Sequence, residues 1–430
     1  MARPGKLIVI LAGLFLACTF AFMTGFTFRH YSIWPTRDAL TLVRQAKVFA
    51  RTGVWGKENQ YLDAAVSGDM PRAVIHDPAA FLPGYRVILA YDAGRATYAA
   101  HLLDAQAREL HVWPVNYGVI AAEGEETDIN PHGMEVLPDG SLVVNFAEGS
   151  SATARLDACG HPMWTARGVY HHSFHRDDDG NLWTWFSPDH IASNLQSVVK
   201  LDVDSGAVLK SISMQDVVKA WPDNARLLRL PQDFPFTTME KTRKTEIDTF
   251  HPNDVEPLLA GMAAEYPMFE AGDLLISLRN LDLVAVLDPE TLRFRWVQYG
   301  PWRQQHDPDF IGGGLIDIYN NNPGHGRSNL VTIDPATNLT VERWTTDDSR
   351  FYSDGQGKQQ RLPNGAHLVA VPAEGRAVEI SPDGRKVFEY NNVAGGGVNA
   401  IVLNAAWLPP DYFTKLPHCT DKLAARSAQP

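Results

Sequence analysis

The sequence predicts an all-β protein, a six-bladed β-propeller preceded by an N-terminal transmembrane helix and a short helical segment. Three observations carry this. A pattern recurs at intervals of about 45–53 residues, the length of a propeller blade. Each repeat holds a glycine turn of the kind that joins hairpin strands. Near the N-terminus lies an uncharged run of 20 residues, Leu7–Phe26.

Coiled as a helix, that run spans ~30 Å, the hydrocarbon thickness of a bilayer. Arg3 and Lys6 precede it, so the positive-inside bias leaves the N-terminus in the cytoplasm and the rest of the chain outside. A cleaved signal peptide has a shorter apolar region and ends in an A-x-A-like site. Here the run is longer and is followed by Thr27-Phe28-Arg29-His30. The expectation is therefore an uncleaved anchor over residues 1–30. Residues 31–84 read as a connecting segment. Within it, residues 36–52 place Leu40, Leu42, Val43, Ala46 and Phe49 on one helical face.

The propeller is expected over residues 85–410, with a tail at 411–430. Its repeat is an apolar residue, an Asp, a few turn residues, and then apolar residues with a Trp. It reads Leu103-Asp104 to Trp113, Leu156-Asp157 to Trp164, Leu201-Asp202, Leu287-Asp288 to Trp296, and Ile333-Asp334 to Trp344. Ile380 with Pro382-Asp383-Gly384 is a sixth, degenerate copy. The longer gap between Asp202 and Asp288 implies an insertion at about 210–250, either a lid or a surface excursion. Between these copies lie the turns Asp139-Gly140, Asp179-Gly180, Gly272-Asp273, Gly313-Gly314 and Asn364-Gly365, each followed by a short apolar strand. Four short strands per unit follow.

Composition agrees with this and excludes some functions. Eleven Trp, 33 Gly and 28 Pro suit a turn-rich β protein. A net charge of −12 argues against nucleic-acid binding. Of the cysteines, Cys18 falls in the apolar run, while Cys159 and Cys419 either pair in an oxidising compartment or stay apart. No C-x-x-C occurs, which argues against thiol redox or a zinc ribbon. No cofactor and no metal are expected.

Alignment on the turn glycines brings histidines into register. His132, His172 and His306 each lie eight residues before a turn glycine, at Gly140, Gly180 and Gly314. His251 holds the corresponding place before Gly272, with extra residues between. In the unit of Gly365 the position is Gly357. The strand before the first hairpin turn is the innermost of a blade, so the four histidines are expected around one mouth of the central channel. Arg279 follows an apolar strand, and a buried Arg needs an anionic partner. His171, His175, Gln305 and Asp307 flank the axial positions. Asp254 and Asp307 either orient an imidazole or close turns.

Imidazoles with a guanidinium make a cationic, donor-rich cup suited to a tetrahedral oxyanion. One imidazole could act as nucleophile. A three-histidine metal site is the competing reading, serving a hydrolase or lyase. A non-catalytic extracytoplasmic binding or scaffold module is the other.

The words in this register resemble the bacterial PAPS-independent arylsulfate sulfotransferases. They are His171-His172-Ser173-Phe174-His175, Phe250-His251-Pro252-Asn253-Asp254-Val255-Glu256, Ile276-Ser277-Leu278-Arg279-Asn280 and Gln305-His306-Asp307-Pro308-Asp309-Phe310. The resemblance covers roughly residues 85–400. It implies a six-bladed periplasmic propeller; the anchor adds the outer face of the inner membrane, and a homodimer is a separate expectation. It implies sulfuryl transfer from an aryl sulfate to a phenolic acceptor through a sulfohistidine. By resemblance His306 is the nucleophile, His251 and Arg279 hold the sulfuryl oxygens, and His172 assists as donor or acid–base. His132, His175, Asn253 and Gln305 are candidate substrate contacts. The chain departs from the family pattern at Asn280-Leu281-Asp282 and at Pro252, which bears on substrate identity more than on site location.

Overall fold

Each turn read from the sequence joins the first two strands of a β-sheet. The computed structural model describes residues 4–30, 62–64, 71–125, 129–146, 151–231, 234–236, 248–343, 345–346, 349–395 and 398–420. The chain divides into two units, Met1–Gln60 and Tyr61–Pro430.

In the first unit, residues Pro4–His30 form one helix. Its described side chains, residues 12–25, are almost all exposed, among them Leu14, Phe15, Leu16 and Phe20. Among the described residues, no helix is long and apolar enough to cross a membrane. The helix expected over 36–52 lies outside the described residues.

The second unit holds six blades in a ring, each inner strand packed against the next. The first blade takes its innermost strand from the end of the chain, Val402–Leu408, beside Tyr85–Asp92, Thr97–Leu103 and Glu109–Val115. The second runs from Pro131–Val136 out to Pro162–Arg167, and the third from Val169–Arg176 to Val208–Ser213. The fourth runs from Pro252–Pro257 to Phe294–Tyr299, and the fifth from His306–Phe310 to Leu339–Arg343. The sixth starts at Lys358–Arg361 and gains an outer strand, Ala73–Ile75, from the stretch read as a connector. A small further sheet pairs Leu62–Ala64 with Val398–Ala400.

The second and third strands are buried on both faces, as in Leu274–Leu278 and Leu283–Leu287. Blades stacked face to face require this, and it explains why their sequences are continuously apolar rather than alternating. The repeated Asp closes the turn between the third and fourth strands. Asp104 accepts from the backbone N–H of Gln106, Asp157 from Cys159 and Asp288 from Glu290, as short acidic side chains do in turns. The repeated Trp reaches the next blade. Trp113 Nε1 donates to Gly140 O, Trp164 to Val203 O and Trp296 to Asn338 Oδ1. Trp344 lies outside the described residues.

The described part of the insertion is docked. Ser213 caps the helix Met214–Ala220, and Met214, Val217 and Leu228 are buried with the fourth blade's Leu283 and Leu287. Residues 237–247 lie outside the described residues. Cys159 and Cys419 form a disulfide that ties the C-terminal tail to the second blade. In that tail, Thr414 N also donates to Pro138 O.

Candidate functional site

The four histidine-bearing inner strands break their pairing at the axial position. The register shifts between Pro131 and Gly133, His171 and His175, Pro252 and Asp254, and His306 and Asp309. A bulge re-aims the side chain it carries. His172 and His251 have φ of 63° and 39°, a left-handed conformation that costs a non-glycine residue about 1–3 kcal/mol. Gly133 lets the second and third blades close here. A Cβ on it would lie 1.8 Å from the His172 carbonyl oxygen. Asn145 completes the join, accepting from Gly133 N and donating to His172 O.

The expected ring of histidines is present. His172 is its hub, with ring centroids 5.3 Å from His132, 5.0 Å from His171, 5.5 Å from His251 and 6.4 Å from His306. A cavity of about 30 Å³ is lined by His132, His172, His306, Asn253, Gly357 and Lys358, among others.

Burial drives the His306 imidazole down to about 3, and nearby Arg279 pushes the same way. His171 is likewise held at about 3, chiefly by burial, and His172 lies well below its ordinary range for the same reason, aided by His171 and His132. These rings are neutral at pH 7. The cationic cup expected from sequence is thereby corrected: the charge comes from Arg279, while these imidazoles supply lone pairs and neutral N–H donors.

Hydrogen bonds fix which nitrogen carries each proton. Asn321 Nδ2 donates to two backbone carbonyls, Ser353 O and Gln356 O. Its Oδ1 therefore faces His306 Nδ1, at 2.7 Å, and Gln304 O is a second acceptor at 3.2 Å from the same nitrogen. Nδ1 must be the protonated nitrogen, which leaves the lone pair on Nε2. The same logic runs through Gln196. Its Nε2 donates to Ile191 O and Ser193 O, so its Oε1 accepts from His171 Nε2 at 2.9 Å. His171 Nδ1 then accepts from His172 Nδ1 at 2.7 Å. His172 too presents an unprotonated Nε2. The third imidazole, His251, sets Nδ1 2.7 Å from Asp248 Oδ2.

Arg279 is half-buried at the end of its strand. Its terminal nitrogens donate to Gln304 Oε1 and Asn280 Oδ1, and Nε is buried with no partner. Burial lowers its pKa. Among the described residues it makes no ion pair, so it has charge and donors to give an anion.

Not every candidate joins the ring. His175 has moved along the channel, where its Nε2 meets Asp254 Oδ1 at 3.2 Å. Burial opposes its charge most strongly, but Asp254 and Glu256 together outweigh burial and the ring is pushed up to about 9. It lines a separate cavity of about 630 Å³ with Glu256, Asp307 and Asp309. Gln305 is fully buried and donates to Ser277 Oγ and Leu283 O, which places its side chain in the blade packing rather than in the cup. Asn253 lines the small cavity and donates to Gln305 O. Asp254 orients the neighbouring imidazole of His175, which stands outside the ring, and both Asp254 and Asp307 hold Lys358. Among the described residues, the side-chain groups with three metal-ligating atoms within 4.8 Å of one another do not include the ring histidines. One of them contains Cys159, which is committed to the disulfide.

Sequence reasoning missed Asn321, Gln196, Asp248 and Lys358. Lys358 follows Gly357, the register position in the unit without a histidine, so one step along the ruler reaches it. Asn321 and Gln196 carry no such signal.

A sequence model of the arylsulfotransferase (ASST) family matches residues 133–393. The chain belongs to the arylsulfotransferase family. The match takes in His172, His251, Arg279 and His306, while His132 of the ring lies one residue before it. No curated protein matches the chain. Similar solved structures include a protein of unknown function from Bacteroides caccae, at 11% identity and TM-score 0.48, covering 76% of this chain and 99% of that one. TolB from Acinetobacter baumannii matches at 13% identity and TM-score 0.42, over 87% and 73% of the two chains. Virginiamycin B lyase from Staphylococcus aureus matches at 11% and 0.34, over 60% and 69%. At these values they carry no argument about the arylsulfotransferase site.

Proposed function

We propose that this protein transfers a sulfuryl group from an aryl sulfate ester to a phenolic acceptor, by ping-pong through a sulfohistidine on His306. The observation that carries the reading is the tautomer of His306. A neutral imidazole with Nδ1–H held by Asn321 presents Nε2 as a nucleophile at neutral pH.

In the first half-reaction the Nε2 lone pair attacks sulfur, the sulfur–aryloxy bond breaks, and its electron pair leaves with the aryl oxygen as phenoxide, which takes a proton from water. Arg279 and His251 hold the sulfuryl oxygens as charge shifts. In the second half-reaction an incoming phenol loses its proton to His172 Nε2, and its oxygen attacks the sulfur. The nitrogen–sulfur bond breaks and returns its pair to His306. His172 thus acts as the base of the second half-reaction, a role its tautomer supports, and then releases the proton to water; His171 and Gln196 return it to that form. The test is release of nitrophenol from 4-nitrophenyl sulfate by the folded protein, accelerated by added phenol. A folded protein that releases none would favour a non-catalytic propeller.

Asn321 is a positioning residue in this scheme. Asn321→Leu is expected to lower kcat about 100-fold or more by freeing the wrong tautomer, as loss of an orienting acceptor does in other imidazole-dependent enzymes. The KM for the aryl sulfate should change little. An unchanged kcat would remove the tautomer argument.

The protein is further proposed to act outside the cytoplasm, tethered by its N-terminal helix. The uncharged run Leu7–Phe26 after Arg3 and Lys6 supports this, as does a disulfide, which needs an oxidising compartment.

A further inference from the structure

We infer that the wider cavity of the channel binds a divalent cation between His175, Glu256 and Asp309. These residues come from the inner strands of the third, fourth and fifth blades. Each offers a ligand atom, and the three atoms lie within 4.8 Å of one another. All three line the cavity of about 630 Å³, which gives an ion a way in and room for water ligands.

The neighbouring charges single out this trio. A second grouping, His175 with Asp254 and Asp307, also has ligand atoms in reach. It already holds a cation, because Lys358 Nζ bonds both carboxylates. Arg176 is committed to Glu135 at 2.7 Å. Arg361 lies 4.0 Å from Asp317. Four carboxylates, Asp254, Asp307, Glu256 and Asp309, therefore share one lysine and one histidine.

An independent observation comes from Gln359. Its side chain is 4% exposed, lines the same cavity, and donates through Nε2 to Asp309 Oδ2 at 2.7 Å. That bond turns its amide towards the acidic trio, yet its carbonyl oxygen Oε1 is buried without a partner. Asp254 is similar: Oδ1 receives Ser173, His175 and Lys358, while the buried Oδ2 receives nothing. Two buried acceptor oxygens without donors beside an acidic cluster are what a cation and its bound water satisfy.

One imidazole with two carboxylates favours Mn²⁺ or Zn²⁺ over Mg²⁺ or Ca²⁺. Bound there, the ion ties three inner strands together at a place apart from His306. No step of the proposed sulfuryl transfer uses it, so the two readings fail separately.

The test uses the full-length protein after EDTA treatment and dialysis. Calorimetric titration with MnCl₂ or ZnCl₂ should show one equivalent bound and a raised Tm. Asp309→Asn and Glu256→Gln should each weaken binding at least tenfold, with folding checked by circular dichroism. Pulsed EPR of the Mn²⁺-loaded wild-type protein should show nitrogen coupling from His175, a readout that needs no variant to fold. No binding, binding of unchanged affinity in both variants, or a Mn²⁺ signal without nitrogen coupling would overturn the inference.

Discussion

Replacing His306 with alanine is expected to lower turnover of 4-nitrophenyl sulfate by at least about 10⁴-fold, the scale seen when a nucleophile is removed from a covalent mechanism. The loss should fall on chemistry rather than folding. Asn321, the partner left behind, keeps its two bonds to Ser353 O and Gln356 O. The ring it loses is neutral, so no buried charge is stranded. One unpaired acceptor at Asn321 Oδ1 costs about 1–3 kcal/mol, which a propeller of this size should tolerate. Kinetics with intact circular dichroism check the prediction. Retained turnover in the variant would mean that His306 does not carry the sulfuryl group.

Arg279→Ala should cost about 10²–10³-fold in kcat, the usual effect of removing one preorganised donor from an oxyanion site. The reason lies in its surroundings. Among the described residues, the half-buried guanidinium bonds only neutral amide oxygens and keeps Nε without a partner. Asp248, Asp354 and Asp282 favour its charge from a distance, but none of them forms an ion pair with it. In the proposed transfer a negatively charged sulfuryl group is its partner, and the demand grows as the aryl oxygen departs. Arg279→Lys should recover only part of the rate, because an ammonium cannot reproduce the planar fork. Equal rates for wild type and Arg279→Ala would place the anion elsewhere.

The ring of His132, His172, His251 and His306 was legible because a repeat acts as a ruler. Residues at one phase of equivalent blades must meet at one level of the axis. The same ruler failed for His175. The inner strand passes a bulge after His171, and three residues beyond His172 the side chain lines a different cavity. Gln305 sits just before the strand His306–Phe310, and its side chain turns into the blade, where it donates to Ser277 Oγ and Leu283 O. The protonation states were misread because sequence lists ionisable groups without their burial. A cup of several imidazoles with one neutral nucleophile looks cationic on paper, whereas burial holds His172 and His306 of the ring, and His171 beside it, neutral. Asn321 and Gln196 were invisible because their bonds to the ring depend on three-dimensional neighbours, not on any spacing. The closing strand Val402–Leu408 and the outer strand Ala73–Ile75 carry no repeat of their own, so ring closure between the ends of the propeller emerged only from pairing.

The most direct test of a sulfohistidine on His306 is the intact mass of the protein after brief exposure to 4-nitrophenyl sulfate without an acceptor. The covalent mechanism requires a gain of ~80 Da, one sulfuryl group, on the peptide that carries His306, and loss of that mass when phenol is added. Nitrophenol release with no adduct on that peptide would contradict it.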